Sequence, residues 1–397
     1  MHWQAQQFIS TVASCFSKNH FFESVLEVGA HVVNGSVRDT ISSPLYLGVD
    51  LSSGDGVDIV CSGHQFSSSE RFKLCISCEC FEHNPYYLET FDNMIKHLSG
   101  DGLILFTCAS TGRPEHGTTR TTPELSPGTT SINWDYYKNL VESDFSKSQN
   151  LKELDYYFFL TNEVSKDLYF VGAKGKAATH LKQKTSEIRQ QTYFFESLSK
   201  EFNYNTVKIA LKEYEFGPKT LIYIANTAPQ ILETKEFCEN VEFWFYKTPN
   251  SMPLCHIMAK INSFDLDRAL SLAARAFNSD RENAQYLLTL VELLEKSGKI
   301  NCAIQLLIGN KIYLSRPSLS WKLTSLLLDS SEFEKALSVA NESLDLYENN
   351  WGLWHCKLKS ELKLKFNKQA LDTATLIIRK NSIPNWLRGI CNRVLDN

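Results

Sequence analysis

Apolar residues gather into short runs of strand length over the first part of the chain. Val25, Leu26 and Val28 make the first, in "SVLEVG"; "PLYLGVDL" (44–51), "GVDIVC" (56–61), "FKLCISCE" (72–79) and "GLILFTCA" (102–109) follow. Between the last two, Leu88, Phe91, Ile95 and Leu98 recur at helical spacing, with Gly100 as a stop. Strands separated by helical or loop crossovers predict a parallel, doubly wound α/β sheet. Two more runs, "LDYYFFLT" (154–161) and "DLYFVGAKG" (167–175), are joined only by "NEVSK". That link is too short for a crossover, so the two strands pair antiparallel and bring the sheet to seven.

From 176 to 255 the pattern weakens. "KGKAATHLKQKTSEIRQQT" is polar and helix-prone, whereas "TLIYIAN" and "VEFWFY" read as strands, so the segment is a linker or a small α/β piece of unassigned role. Beyond 256 a repeat begins: Ala269, Ala303, Ala336 and Ala370 follow one another at 34, 33 and 34 residues. Each is preceded three or four residues earlier by Leu266, Ile300, Phe333 or Phe366, and amphipathic helices lie between. The period and the small residue resemble tetratricopeptide repeats, where Ala lets two helices approach closely, although the Trp, Gly and Pro positions of those repeats are mostly unfilled. An irregular helical bundle is the alternative. The expected domains are therefore 1–175, 176–255 and an all-α helical-repeat domain at 256–397.

Composition narrows the function. Net charge is −4 with a pI near 6.2, and no basic block is long enough to follow a phosphate backbone, so no nucleic-acid partner is expected. No run of eighteen apolar residues predicts a membrane span, and the first residues carry no basic flank of a secretion signal. The eleven cysteines are scattered through strand-like and helix-like segments, which fits reduced thiols in a soluble cytoplasmic protein. Cys75, Cys78 and Cys80 with His83 superficially resemble a zinc site, but no second Cys or His pair follows at finger spacing, and no metal is expected.

The chemistry starts at the first turn. Glu27 stands two residues before Gly29 at the end of the first strand, and Asp50 ends the next. A nicotinamide dinucleotide needs closely spaced glycines around its pyrophosphate, and G-x-G-x-x-G is missing here. S-adenosyl-L-methionine has no phosphate; its cationic amino acid part calls for one acid and its ribose hydroxyls for another. Glu27 and Asp50 suit those two tasks.

On "VLEVGAHVVNGS", "YLGVDLSSGDGVDIV", "CECFEH" and "LSGDGLILFT", residues 20 to 175 resemble the class I S-adenosylmethionine-dependent methyltransferases. The resemblance implies that Glu27 and Gly29 border the methionine part, with Asn34 and Gly35 in the rest of the turn. Asp50 would take the ribose and Leu51 the adenine, Gly63 and His64 the adenine edge, and Cys78 or Glu79 the pocket floor. His31 stands where many members have a second glycine.

After the fifth strand comes "STGRPEHGTTRTTPELSPGTTSINWDYYKNL", a long loop at the edge where such sheets hold substrates. Arg113, Glu115 and Arg120 are candidates for binding the acceptor, and His116 for a general base. The competing role is a lid whose Arg–Glu pairs fix its own shape. The sequence thus points to a methyltransferase for a small-molecule or glycan-like acceptor, with repeats that engage a protein partner. The alternative is a non-catalytic scaffold on a degenerate methyltransferase fold.

Overall fold

A computed structural model describes residues 1–310, 312–380 and 382–396 in two compact units, Met1–Pro249 and Asn250–Asn397. The first opens with helix α1 (Trp3–Phe16), then β1 (Ser24–Val28), β2 (Leu45–Asp50), β3 (Ile59–Val60), β4 (Phe72–Cys78), α2 (Tyr87–His97) and β5 (Leu98–Ala109). Two short helices follow, α3 (Pro127–Ser131) and α4 (Glu142–Phe145), before β6 (Tyr156–Asn162) and β7 (Asp167–Ala173). The seven strands stand in the order β3-β2-β1-β4-β5-β7-β6. β1 to β5 pair parallel, and β7 runs antiparallel to both β5 and β6. This is the doubly wound methyltransferase-type sheet expected from the sequence, although β3 is only two residues long.

Alternation along the strands divides the core between the two faces. Val25, Leu74, Ile76, Leu103 and Leu105 point to one face, where Phe8, Ile9 and Val12 of α1 cover them. Leu26, Cys75, Ile104 and Phe106 point to the other, against Phe91, Met94 and Ile95 of α2 and Phe145 of α4.

The segment after β7 corrects the sequence-based expectation. It holds α5 (Gly175–Lys200), α6 (Tyr204–Ala210), α7 (Pro218–Thr227) and α8 (Lys235–Lys247), with no strand among its described residues. "TLIYIAN" belongs to α7, where Leu221, Ile224 and Ala225 are buried at helical spacing; Pro218 at the first turn sets the start. "VEFWFY" belongs to α8, whose buried residues Phe237, Val241 and Trp244 follow the same period. A short apolar run does not by itself separate strand from helix, and here the spacing of the buried positions decides. Ala178, Leu181 and Ile188 of α5 join the core over Val25 and Leu74, so this segment completes the first unit.

The second unit is all helical: α9 (Met252–Ile261), α10 (Leu266–Ser279), α11 (Ala284–Lys296), α12 (Ile300–Asn310), α13 (Pro317–Asp329), α14 (Phe333–Leu346), α15 (Trp351–Lys363), α16 (Asn367–Arg379) and α17 (Asn385–Leu395). Ala269, Ala303, Ala336 and Ala370 occupy the first turns of α10, α12, α14 and α16, and all are 0% exposed. The repeat read in the sequence is a repeat of helix pairs. Among the described residues, no helix is long and apolar enough to cross a membrane.

Candidate functional site

A cavity opens in the first unit at the carboxyl edge of the sheet, where β1 lies between β2 and β4 and the strand order reverses. Open α/β sheets hold ligands at this switch point. Gly29 shapes the turn there: φ is +85°, and a Cβ would stand 2.6 Å from Cys80 Cβ. The backbone therefore passes the loop after β4 more closely than any side chain permits.

Glu27 reaches the cavity from β1 and is only 3% exposed. The Tyr46 hydroxyl donates to its Oε2 at 2.6 Å. Burial pushes the carboxyl up to about 8, against the weaker opposing effects of that hydrogen bond and of the Arg38 charge. Arg38 lies over the Tyr46 ring at 4.1 Å and spends its guanidinium on Asp58. A buried carboxyl with no cation of its own favours a ligand that brings one.

Asp50 sits at the end of β2, where the His31 amide donates to Oδ2 at 3.1 Å and the Leu51 amide to Oδ1 at 2.7 Å. The His31 ring is folded onto the next loop, with Nδ1 3.3 Å from Ser52 Oγ. The chain beyond β5 returns over this acid: a Cβ on Gly128 would lie 2.7 Å from Asp50 Oδ1.

Of the residues predicted for the cofactor, Glu27, Gly29, Asn34, Gly35, Asp50, Leu51, Gly63, Cys78 and Glu79 line this one cavity. His64 does not; its ring stacks on Tyr86 at 4.3 Å, and Trp134 packs against both rings. From the acceptor loop, Arg113 and His116 line the cavity and Glu115 and Arg120 do not. Arg120 pairs with Glu115 at 2.7 Å and Asp135 at 2.6 Å and braces the loop. Arg113 is already committed as well, donating to Ser165 O at 2.5 Å and Asp167 Oδ1 at 3.2 Å, with Glu79 Oε2 4.0 Å away.

Three groups that sequence reasoning missed support the site, of which His2 itself lines the cavity. His2 Nε2 stands 2.9 Å from Asp167 Oδ2 and 3.3 Å from Glu79 Oε2. Burial alone would lower its pKa, but the two carboxylates outweigh burial and hold it at about 10. Thr107 Oγ1 also donates to Glu79, at 2.8 Å. Lys219, on α7, donates Nζ to the carbonyls of Asn34 and Met1 at 2.6 Å each, tying the first turn to a segment that had no assigned role. These contacts join residues far apart in sequence, and no local spacing marks them.

A second polar group lies at the β4–β5 end. Glu82 is 0% exposed, and neither carboxylate oxygen has a well-formed hydrogen bond; the amides of Glu82 and Ala109 favour its charged form, but less than burial and Glu79 oppose it. Burial first, and the Glu79 charge second, push its carboxyl up to about 8. His83 is pulled down to about 3, by burial first and His116 second. The His83 and His116 rings meet edge to face at 4.9 Å, and Tyr137 flanks both. His116 Nδ1 lies 3.0 Å from the Pro114 carbonyl.

No family model and no curated protein matches the chain. Among solved structures it is similar to the N-methyltransferase NodS from Bradyrhizobium japonicum WM9 in complex with S-adenosyl-L-homocysteine, at 14% identity over 44% of this chain and 86% of that one, with a TM-score of 0.30. The plantazolicin methyltransferase BpumL in complex with the same compound is 15% identical over 43% and 83%, with a TM-score of 0.30. MamA AMB-1 is 15% identical over 42% and 94%, with a TM-score of 0.32. By its own strand order and terminal antiparallel pair, the first unit has the fold of the class I S-adenosylmethionine-dependent methyltransferases, and a tetratricopeptide-like helical repeat follows it.

Proposed function

We propose that the protein is an S-adenosyl-L-methionine-dependent methyltransferase. The observation that carries this is the placement of Glu27 and Asp50 on one cavity, at the ends of adjacent strands on either side of the Gly29 turn. Glu27 would hold the cofactor's ammonium group and Asp50 its ribose hydroxyls. Leu51 would lie against the adenine, with Gly63 at its edge, and Cys78 and Glu79 would form the floor. When bound, the cofactor supplies a methyl group on a sulfonium, already activated for displacement.

The protein's part is then mainly to position the acceptor in line with that methyl. His116 borders the cavity from the loop after β5, and burial, its largest influence, lowers its pKa below the usual histidine value. A neutral imidazole there suits the group that draws off the acceptor's proton. Arg113 acts by holding Glu79 and Asp167 in place rather than by binding an anion. The acceptor is a small molecule or glycan-like compound that enters beside the loop. Buried thiols such as Cys75 and Cys108 support a cytoplasmic setting, and the repeats, with Trp321 and Trp386 about half exposed, offer a protein-binding surface.

Calorimetry with S-adenosyl-L-homocysteine tests the reading directly. One equivalent bound by the full chain supports it. No binding at millimolar concentration leaves the scaffold alternative in its place.

A further inference from the structure

We propose that Glu82, His83 and His116 form a binding site for one divalent transition-metal ion at the β4–β5 end of the cavity. Each offers one ligand atom, and the three atoms lie within 4.8 Å of one another. Ligands about 2.1 Å from a shared tetrahedral ion stand about 3.4 Å apart, so a small inward movement of these side chains closes the site. Glu82 is fully buried and neither oxygen has a well-formed hydrogen bond, the amides of Glu82 and Ala109 being its nearest donors, and the buried Nδ1 of His83 has no hydrogen-bond partner. Buried polar atoms are nearly always satisfied, so an under-satisfied carboxylate beside an orphaned imidazole points to a missing partner.

The surroundings are built to hold these groups still. Gly117 has φ +67°, and a Cβ there would stand 2.7 Å from His83 Cε1, so the loop backbone presses on the ring as only glycine can. With a proton on His116 Nδ1 donated to the Pro114 carbonyl, Nε2 keeps its lone pair free. Metal-bound histidines are usually oriented through such a hydrogen bond. The neighbouring cluster of His2, Glu79 and Asp167 is different: its members are paired with one another and with Arg113, which leaves no ligand position open.

Two imidazoles and one carboxylate suit zinc, manganese, iron or cobalt in the divalent state, and three protein ligands leave positions open for substrate. The role of the ion, unlike the site, rests on the methyltransferase reading. An acceptor hydroxyl bound to the ion loses its proton more readily. Its oxygen forms the new bond to the methyl carbon, the sulfur–methyl bond breaks with the pair staying on sulfur, and the hydroxyl proton goes to solvent. With the ion bound, His116 would promote deprotonation through it, in place of the direct base role open to its free imidazole in the metal-free protein.

The test uses the full chain, stripped with a chelator and titrated with Co²⁺, Zn²⁺ and Mn²⁺ by calorimetry, with the visible absorption of Co²⁺ as a ligand-field signature. One equivalent of at least one ion is expected. Binding should fall at least tenfold in Glu82→Gln and in His116→Ala, and stay unchanged in His355→Ala, which lies in the repeats. His116 is on a loop and only half-buried, so its variant serves even if Glu82→Gln fails to fold. Failure of all three ions to bind stoichiometrically, or equal binding by wild type and both site variants, overturns the proposal. S-adenosyl-L-homocysteine titrated in parallel separates the two readings: metal without nucleoside binding keeps the site and rejects the methyltransferase, and the reverse result does the opposite.

Discussion

Gly128 rests directly on Asp50: a single added methyl would stand 2.7 Å from the Asp50 Oδ1 atom. The loop beyond β5 thus covers the acid at the end of β2. If Asp50 takes the ribose hydroxyls as proposed, Asp50→Ala removes a charge-assisted hydrogen bond and weakens S-adenosyl-L-homocysteine binding about tenfold, equivalent to about 1.4 kcal/mol. Gly128→Val should weaken it comparably by forcing the lid outward. Unchanged affinity in a folded Asp50→Ala protein removes the ribose assignment.

Glu27 gives a pH signature. Burial, its largest influence, raises its pKa to about 8, against opposition from Tyr46 and Arg38 and with small additions from Asp50 and Asp39. At pH 7 the free protein therefore holds this carboxyl mostly protonated. A ligand ammonium favours the ionised form, so binding expels the proton and affinity rises as pH climbs from 6 toward 8. Calorimetry of S-adenosyl-L-homocysteine in two buffers of different ionisation enthalpy should detect this release, and Glu27→Gln should abolish it. A proton count unchanged by the substitution places the ammonium elsewhere.

What the sequence could reveal follows from how local each signal is. The strands of the sheet, the acids at the ends of β1 and β2, and the alanine period are patterns within a few dozen residues, and the structure has each of them. The helical nature of α7 and α8 was lost because their apolar residues are adjacent in runs, and only burial shows the helical period. His2, Asp167 and Lys219 reach the site through contacts that span up to 218 residues, which no motif encodes. Glu82 lies within "CECFEH", which the sequence marks only by family resemblance; its burial without a well-formed hydrogen bond is a property of the folded chain.

The first unit defines a fragment. Because Ala178, Leu181 and Ile188 cover the face formed by Val25, Leu74 and Ile76, and Lys219 ties down Asn34, a chain of residues 1–249 should be soluble and bind S-adenosyl-L-homocysteine as tightly as the full protein. One ending at 175 exposes that face and should aggregate. Expression of both, with sizing and calorimetry, decides; a well-behaved 1–175 fragment that binds normally shows the later helices to be dispensable.

In the repeats, Ala336 is 0% exposed at the start of α14. Ala336→Phe overfills a tight helix contact, a change that typically costs about 1–3 kcal/mol. Thermal unfolding should begin earlier in the second unit, with nucleoside affinity unaltered. A melting profile identical to wild type shows that the contact has room to spare.

The two arginines of the acceptor loop should behave differently, for a reason visible in their partners. Arg113 faces Asp167, which is 0% exposed, and truncation leaves that carboxylate with His2 as its paired cation, while Glu79 keeps His2 and the Met1 ammonium. Breaking a buried pair in this way costs about 3 kcal/mol or more. Arg113→Ala should therefore lower the melting temperature markedly, whereas Arg120→Ala, on an exposed pair with Glu115 and Asp135, should leave it unchanged. If Arg113 instead held an anionic acceptor, its loss would raise the acceptor's KM in a protein as stable as wild type. Differential scanning fluorimetry beside steady-state kinetics separates the two: a large stability loss in Arg113→Ala alone assigns it to the charge cluster on the cavity wall.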